Sequence, residues 1–452
     1  MHFISHYKDR QVVTTPKADD SFDSIIIGSG TAGATLARQL SASGRTVLLL
    51  ERGKYRPLKE TVWTLASMFD EVKVADKLKD ARVFTAGGSS AMYLAVMDEP
   101  PIDEFRALGI DLGAEYDEAR RELPLGEMRD ELLSPQAHRL KEAALAAGYD
   151  WKKKLMLIDQ SMCDGGYCYE AKWKALSYVD EAVRLGARLQ CQARVERVLI
   201  ENGRAVGVEC RIAGSPFGGQ PTRFHARKII VSAGSLATPL ILRNSGLADV
   251  ATKGYYVDPS SIMFGRIPGL RGRDGFAGAF GTTLDDGTKL LDANAHKLPF
   301  YMFMIQFLHP MRVFSYAEHV GIMVKAHDAV GGSLSADGHY HKELDPAVFE
   351  KLKRGEDAAR RILEHAGATR IFKSPLMTGG TFGTLRVGDD VDVRLETRID
   401  DLHVCDGSLI PENGRVAPTL TLICLAKYLA RTLTKQSNAY REEPRPEEAR
   451  IR

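Results

Sequence analysis

A glycine-rich turn, Gly28-Ser29-Gly30-Thr31-Ala32-Gly33, and a carboxylate, Glu51, 18 residues beyond its last glycine, have the types and spacing to hold a dinucleotide. Gly28 allows the tight turn, Gly30 lets the backbone approach a pyrophosphate, and Gly33 lets helix and strand pack closely. The helix that follows offers unpaired N–H groups and a positive dipole end to the phosphates. Glu51 can accept both hydroxyls of an adenosine ribose and would repel a 2′-phosphate, which argues against NADP. Read alone, the unit admits NAD or FAD.

The elements that must position these residues are a βαβ unit. A β-branched run at Ile25, Ile26 and Ile27 enters the turn, an apolar-periodic helix leaves it, and a second buried strand runs from Val47 to Leu50 after a turn at Gly44. The whole chain has 452 residues, 44% apolar and 27% charged, which is the composition of a globular protein of two or three intertwined domains. A net charge of +2 predicts no strong attraction to nucleic acid or to acidic membranes. No apolar run reaches the ~18 residues of a transmembrane span, and no signal peptide is read at the polar N-terminus, so the expected location is cytoplasmic. Six cysteines, with only Cys163 and Cys168 close together, predict free and mostly buried thiols rather than a metal set.

Residues 1–20 read as an arm, 21–254 as a nucleotide-binding domain with a helical segment at about 116–147, 255–371 as mainly a substrate domain, 372–436 as the return to the first domain, and 437–452 as a disordered tail. Asn202-Gly203 between two apolar alternations predicts a hairpin. The stretch from 255 to about 345, rich in Phe, Met, Tyr and Gly, predicts an inserted antiparallel sheet. Within it, Leu298 to Phe307 reads as a strand apolar on both faces. Ordinary core is its first reading. The lining of an apolar pocket is its second, which favours a lipid, polyketide or terpenoid substrate over a sugar.

Four segments in order resemble the glucose–methanol–choline (GMC) flavoprotein oxidoreductases: the first turn with Glu51, then TAGGSSAMY, SAGSLATPLILRNSG and VCDGSLIPENGRVAPTLTLICLAKYLA. The resemblance implies an α/β Rossmann-like FAD-binding domain with an inserted antiparallel-sheet substrate domain, α+β overall, and FAD as cofactor. It implies cofactor contacts at Gly28, Gly30, Thr31, Ala32, Gly33, Glu51 and Arg52, and at Gly87, Gly88, Ser89 and Ser90. Further contacts are implied at Val195, at Ala233 and Gly234, at Asp406 and Gly407, and at Pro418 and Thr419. No histidine stands in the GGSS segment where some relatives tether flavin, so noncovalent FAD is expected.

The same resemblance exposes a gap. The family's base sits three residues before a G-T-x-R-x-G sequence, here Gly383 to Gly388, and the matching residue is Gly380. Its partner lies just before Ala417-Pro418-Thr419, and the matching residue is Val416. Neither can titrate, and losing a general base costs 10²–10⁴ in rate. Three substitutes are weighed against ordinary structural roles. Arg415 could bind a carboxylate or an oxyanion, His309 is read at the end of a roof strand, and Tyr93 could cover the flavin or donate a proton. His339 and His341 share a strand face, but no third ligand is evident and no metal site is expected. The leading expectation is hydride transfer from an organic, alcohol-like substrate to flavin N5, with electrons passing to oxygen or another carrier. The alternative is a redox-neutral or light-driven flavoenzyme, such as an isomerase, lyase or photodecarboxylase, that needs no alcohol base.

Overall fold

The computed structural model describes residues 21–76, 78–213, 220–412 and 417–442. The expected N-terminal arm, most of the tail, and two candidate site residues, Arg415 and Val416, lie outside the described residues.

The first sheet is built on strands with no polar face. Ile25, Ile26 and Ile27 of strand Ser21–Ile27, and all of strand Val47–Leu50, are buried, as parallel strands covered on both sides must be. These two strands pair in parallel, and strand Gln220–Val231 flanks Ser21–Ile27 in parallel on the other side, with Ile25 beside both Leu48 and Ile229. Strand Arg188–Gln190 extends one edge, while the hairpin of Ala193–Glu201 and Arg204–Ile212 extends the other. Positive φ at Asn202 (51°) and Gly203 (78°) gives that hairpin the turn its sequence predicts. Strand Leu402–Val404 returns from the far end of the chain to pair with Gln220–Val231. Helix Thr31–Ala42 is packed between helices Leu176–Arg184 and Thr419–Glu442.

The second sheet is antiparallel, as expected, and its central strand is Tyr256–Arg266. Strand His319–Lys325 lies on one side, with Ser260 opposite Lys325 and Ile262 opposite Met323; strands Thr369–Lys373 and Met377–Phe382 share the other side. Side chains alternate between faces along each strand. Met263, Val320, Ile322 and Val324 pack with helix residues Leu140, Ala359 and Leu363, and Ser261 donates to Glu356 on helix Pro346–His365. The opposite face carries Asp258, Ser260, Ile262, Phe264, Met323 and Lys325.

Three expectations are corrected. Strand Lys152–Lys153 joins the second sheet and helix Pro135–Ala146 packs beneath it, so that body draws on residues well before 255. Strand Met377–Phe382 also belongs to it, so the chain returns to the first sheet after 382 rather than at 372. The apolar run at 298–307 is not a strand but helix Lys297–Gln306, followed by a 3₁₀ segment, Pro310–Glu318. A run apolar all round carries no period from which to separate helix from strand. The inward side chains, Phe300, Met304 and Phe307, recur at helical spacing, while Ile305 is left exposed.

Candidate functional site

The glycine turn is shaped by backbone contacts. A Cβ on Gly28 (φ 101°) would stand 2.3 Å from the Ser232 carbonyl oxygen, and one on Gly33 would stand 1.9 Å from that of Gly28. Gly30 differs: a Cβ there meets nothing within 4 Å, although a Cβ on Gly88 would come 2.9 Å from Gly30 Cα, so the GGSS turn crosses just beside it. The first helical bond runs from Ala34 N to Gly30 O (2.8 Å), and Gly30 offers no side-chain cap. The amides of Thr31, Ala32 and Gly33 therefore have no acceptor in the helix, as an anion site requires. Gly30→Ala is expected to leave the melting temperature of the apoprotein within ~1 °C of wild type, since its φ of −63° suits alanine, while FAD retention on dilution falls clearly. Equal retention by the variant would remove Gly30 from the cofactor cradle.

Glu51 sits at the end of its strand, 6% exposed. One carboxylate oxygen accepts the Ser29 amide at 3.1 Å and hydroxyl at 2.5 Å, and the other accepts the Gly53 amide at 2.6 Å. Burial pushes its pKa up against the pull of these donors. Arg52 lays its guanidinium 4.0 Å over the Phe84 ring, with Arg82 and Arg194 close enough to depress its pKa further after burial. Val195 stands at a register shift in its hairpin. In the GGSS turn, Ser89 is exposed, whereas the Ser90 hydroxyl donates to Gly87 O (2.7 Å) and accepts the Ala175 amide (2.9 Å). Asp406 turns inward. It accepts the Gly234 amide at 2.9 Å, the Thr238 hydroxyl, and the Ser408 amide and hydroxyl at 2.9 and 2.6 Å. Its carboxylate thus joins Ala233-Gly234 to Gly407, and Gly234 keeps open space where a Cβ would stand. Pro418 and Thr419 open helix Thr419–Glu442. These residues fit an ADP moiety: an uncapped helix start, a buried carboxylate at the end of the second strand, and open space before Gly30 and Gly234.

The three substitutes for the missing base fare differently. Tyr93 donates its hydroxyl to Trp173 O at 2.5 Å and packs against both cores, so it is a strut between the domains. His309 does not end a strand. It precedes the 3₁₀ segment and meets Phe372 edge-on at 4.7 Å, beside the Phe264 end of the central strand. That end is six residues from Asp258, about 20 Å at the rise of a strand. Arg415 lies outside the described residues. At Gly380 (φ 143°) a Cβ would stand 2.5 Å from the Phe382 ring, so Phe382 fills the space that a side chain at this position would use.

Across from that glycine lies a cluster the sequence reading missed. Val257 pairs with Thr381 and Pro259 with Thr378, so Gly379 and Gly380 bulge opposite Asp258 alone. Asp258 is 1% exposed and accepts from His327 Nδ1 at 2.5 Å and from Lys325 Nζ at 2.6 Å. A Cβ on Gly379 would stand 3.3 Å from Lys325 Nζ. Burial opposes ionisation of Asp258, but Lys325 and His327 outweigh it and hold its pKa at about 2. His327 Nε2 carries no hydrogen bond among the described residues. Glu412 and Ala417 are also tied to neighbouring segments. Glu412 accepts the Val330 amide (3.4 Å), and the Ala417 amide donates to Asp98 (3.1 Å), which also binds Lys154 (3.3 Å) and Lys289 (2.7 Å), the cross-strand neighbour of Lys325. One signal was available: Asp258 is a lone carboxylate directly after the apolar run Tyr255 to Val257, and Lys325-Ala326-His327 alternates onto one face.

A mixed sheet built on a glycine-turn βαβ unit, joined to a separate antiparallel sheet, is the fold of an FAD-binding flavoprotein. The sequence profile of the GMC oxidoreductases matches residues 22–254, and the chain belongs to that family. Its cofactor is FAD. An uncharacterized GMC-type oxidoreductase of Mycobacterium tuberculosis (strain H37Rv) is 28% identical over 273 residues, which cover 54% of this chain and 42% of that protein, so the chain spans less than half of that relative's length. An uncharacterized protein of Methanocaldococcus jannaschii is 24% identical over 91% of this chain and 100% of its own. The formate oxidase structure from Aspergillus oryzae RIB40 superposes with a TM-score of 0.72 at 14% identity, covering 93% of this chain and 99% of that one. At that identity the likeness concerns the fold.

Proposed function

We propose that the protein oxidises a CH–OH group of an organic substrate, with His327 as the proton acceptor. The observation that carries this reading is the His327–Asp258–Lys325 cluster, which stands across one bulge from Gly380, the position where the family resemblance puts the base. When bound, FAD supplies the acceptor for the hydride equivalent. The chain's own part is to manage the proton. Hydride leaves readily only from an alkoxide-like carbon, so a base must reach the hydroxyl. His327 Nε2 takes that proton, while Asp258 on Nδ1 fixes the ring and stabilises the imidazolium. Lys325 keeps Asp258 ionised.

The purified holoprotein, mixed anaerobically in the dark with a panel of alcohols and fatty acids, is expected to lose its visible flavin absorbance with at least one alcohol. Turnover without bleaching, or only under blue light, sinks this reading and favours a redox-neutral or light-driven reaction.

A further inference from the structure

Residues 297–318, KLPFYMFMIQFLHPMRVFSYAE, form one helix and one 3₁₀ segment with a single carboxylate, the terminal Glu318. The helix buries Phe300 and Met304 in the roof, yet large apolar side chains on the outside face water: Ile305 is 61% exposed, Leu308 85%, Met311 75% and Phe314 83%. Leu308 (φ 61°) turns the chain from one helix into the other. In a 3₁₀ helix residues three apart eclipse, so Met311 and Phe314 form one edge, and Leu308 is exposed at the turn just before that segment. An apolar edge of this size on a water-facing surface marks a binding face. Its flank is basic. Half-buried Arg312 lies 3.6 Å over Phe372, and exposed Arg370 stands close enough to depress its pKa after burial. Neither arginine is ion-paired among the described residues. The neighbouring carboxylates are engaged elsewhere: Asp274 with the Tyr316 hydroxyl (3.0 Å) and Glu318 with Arg266 (2.6 Å).

From this geometry we infer that the Leu308–Phe314 edge docks on an anionic lipid surface, inserting Leu308, Met311 and Phe314 while Arg312 and Arg370 meet the headgroups. Apolar side chains projecting beside unpaired cations suit the bilayer interface, where binding grows with apolar area and with attraction to acidic lipid. Among the described residues no helix is long and apolar enough to cross a membrane, so the contact is a surface one. The occupant's charge follows from the arginines: a zwitterionic surface would leave them unmatched.

The test is co-sedimentation of the holoprotein with vesicles of phosphatidylcholine alone and of phosphatidylcholine mixed with phosphatidylglycerol. Binding to the mixed vesicles is expected, weaker in high salt, with little to phosphatidylcholine alone. The triple variant Leu308→Asp, Met311→Asp, Phe314→Asp is expected to bind at least about ten-fold more weakly, and Arg312→Gln with Arg370→Gln is expected to abolish the preference for acidic lipid. Bound flavin checks the fold of each variant, and the salt dependence of the wild type tests the proposal without any variant. No binding to either vesicle overturns it, as does unchanged binding by the triple variant. A wild-type dimer in sedimentation equilibrium that the triple variant converts to monomer also overturns it, by making a second copy the occupant.

Discussion

His327→Asn is expected to lower kcat by roughly 10²–10⁴, the range for loss of a general base, with FAD content unchanged. Asparagine can still donate to Asp258, and the Asp258–Lys325 pair at 2.6 Å survives, so the fold has little reason to fail. The measurement is the anaerobic rate of flavin reduction by a substrate found in the alcohol panel, followed across pH. Wild type is expected to show a rising limb where its base deprotonates, and the variant to lose that limb. A merely structural histidine would move stability and leave the limb in place. A variant within three-fold of wild type, with the limb intact, would falsify the assignment. Asp258→Asn tests the positioning residue. It leaves Lys325 buried without its counter-charge, a loss typically of ~3–5 kcal/mol, so its melting temperature falls as well as its rate. The acid limit has a definite sign. Because the folded pKa of Asp258, about 2, lies below its ordinary value of 3.8, its contribution to stability is complete above that ordinary value and is lost as pH falls toward 2.

The parts of this molecule legible in its sequence are those fixed by local backbone demands. Gly28 and Gly33 admit no Cβ because neighbouring carbonyl oxygens stand 2.3 and 1.9 Å away, and a glycine pattern records such a demand directly. Asn202-Gly203 records a turn in the same way. The run at 298–307 did not disclose its helix, because its inner face and its exposed edge are both apolar. The candidate base was hidden for a different reason. Its place depends on a one-residue bulge between Val257 and Pro259 that faces Asp258 toward Gly379 and Gly380, residues about 120 positions away in the chain. The family pattern disclosed that the base was missing from one strand. Only the cross-strand register discloses what stands beside the gap.

Glu51→Ala is expected to release FAD on dilution. A charge-assisted hydrogen bond to a buried acceptor is worth ~1.5–3 kcal/mol, so loss of the ribose contact alone weakens binding roughly 10- to 100-fold. The variant also strips acceptors from the Ser29 amide and hydroxyl and from the Gly53 amide, and these donors shape the turn itself. Glu51→Gln separates the two effects. Its amide oxygen can still accept from one side of the turn while its NH₂ meets donors on the other, so the fold holds better than in Glu51→Ala while affinity still falls. Full flavin retention by both variants, measured by ultrafiltration and FAD fluorescence, removes Glu51 from the ribose site. Acid should expose the same group in the wild type. Burial raises the Glu51 pKa above 4.5, so the carboxyl is more protonated in the folded apoprotein than in the unfolded chain. Its contribution to apoprotein stability is therefore present at acid pH and lost as pH rises through the raised value. Ribose hydroxyls donate to the ionised form and pull the other way. FAD release on acidification is thus expected to begin above the ordinary glutamate range, where the apoprotein is gaining stability rather than losing it.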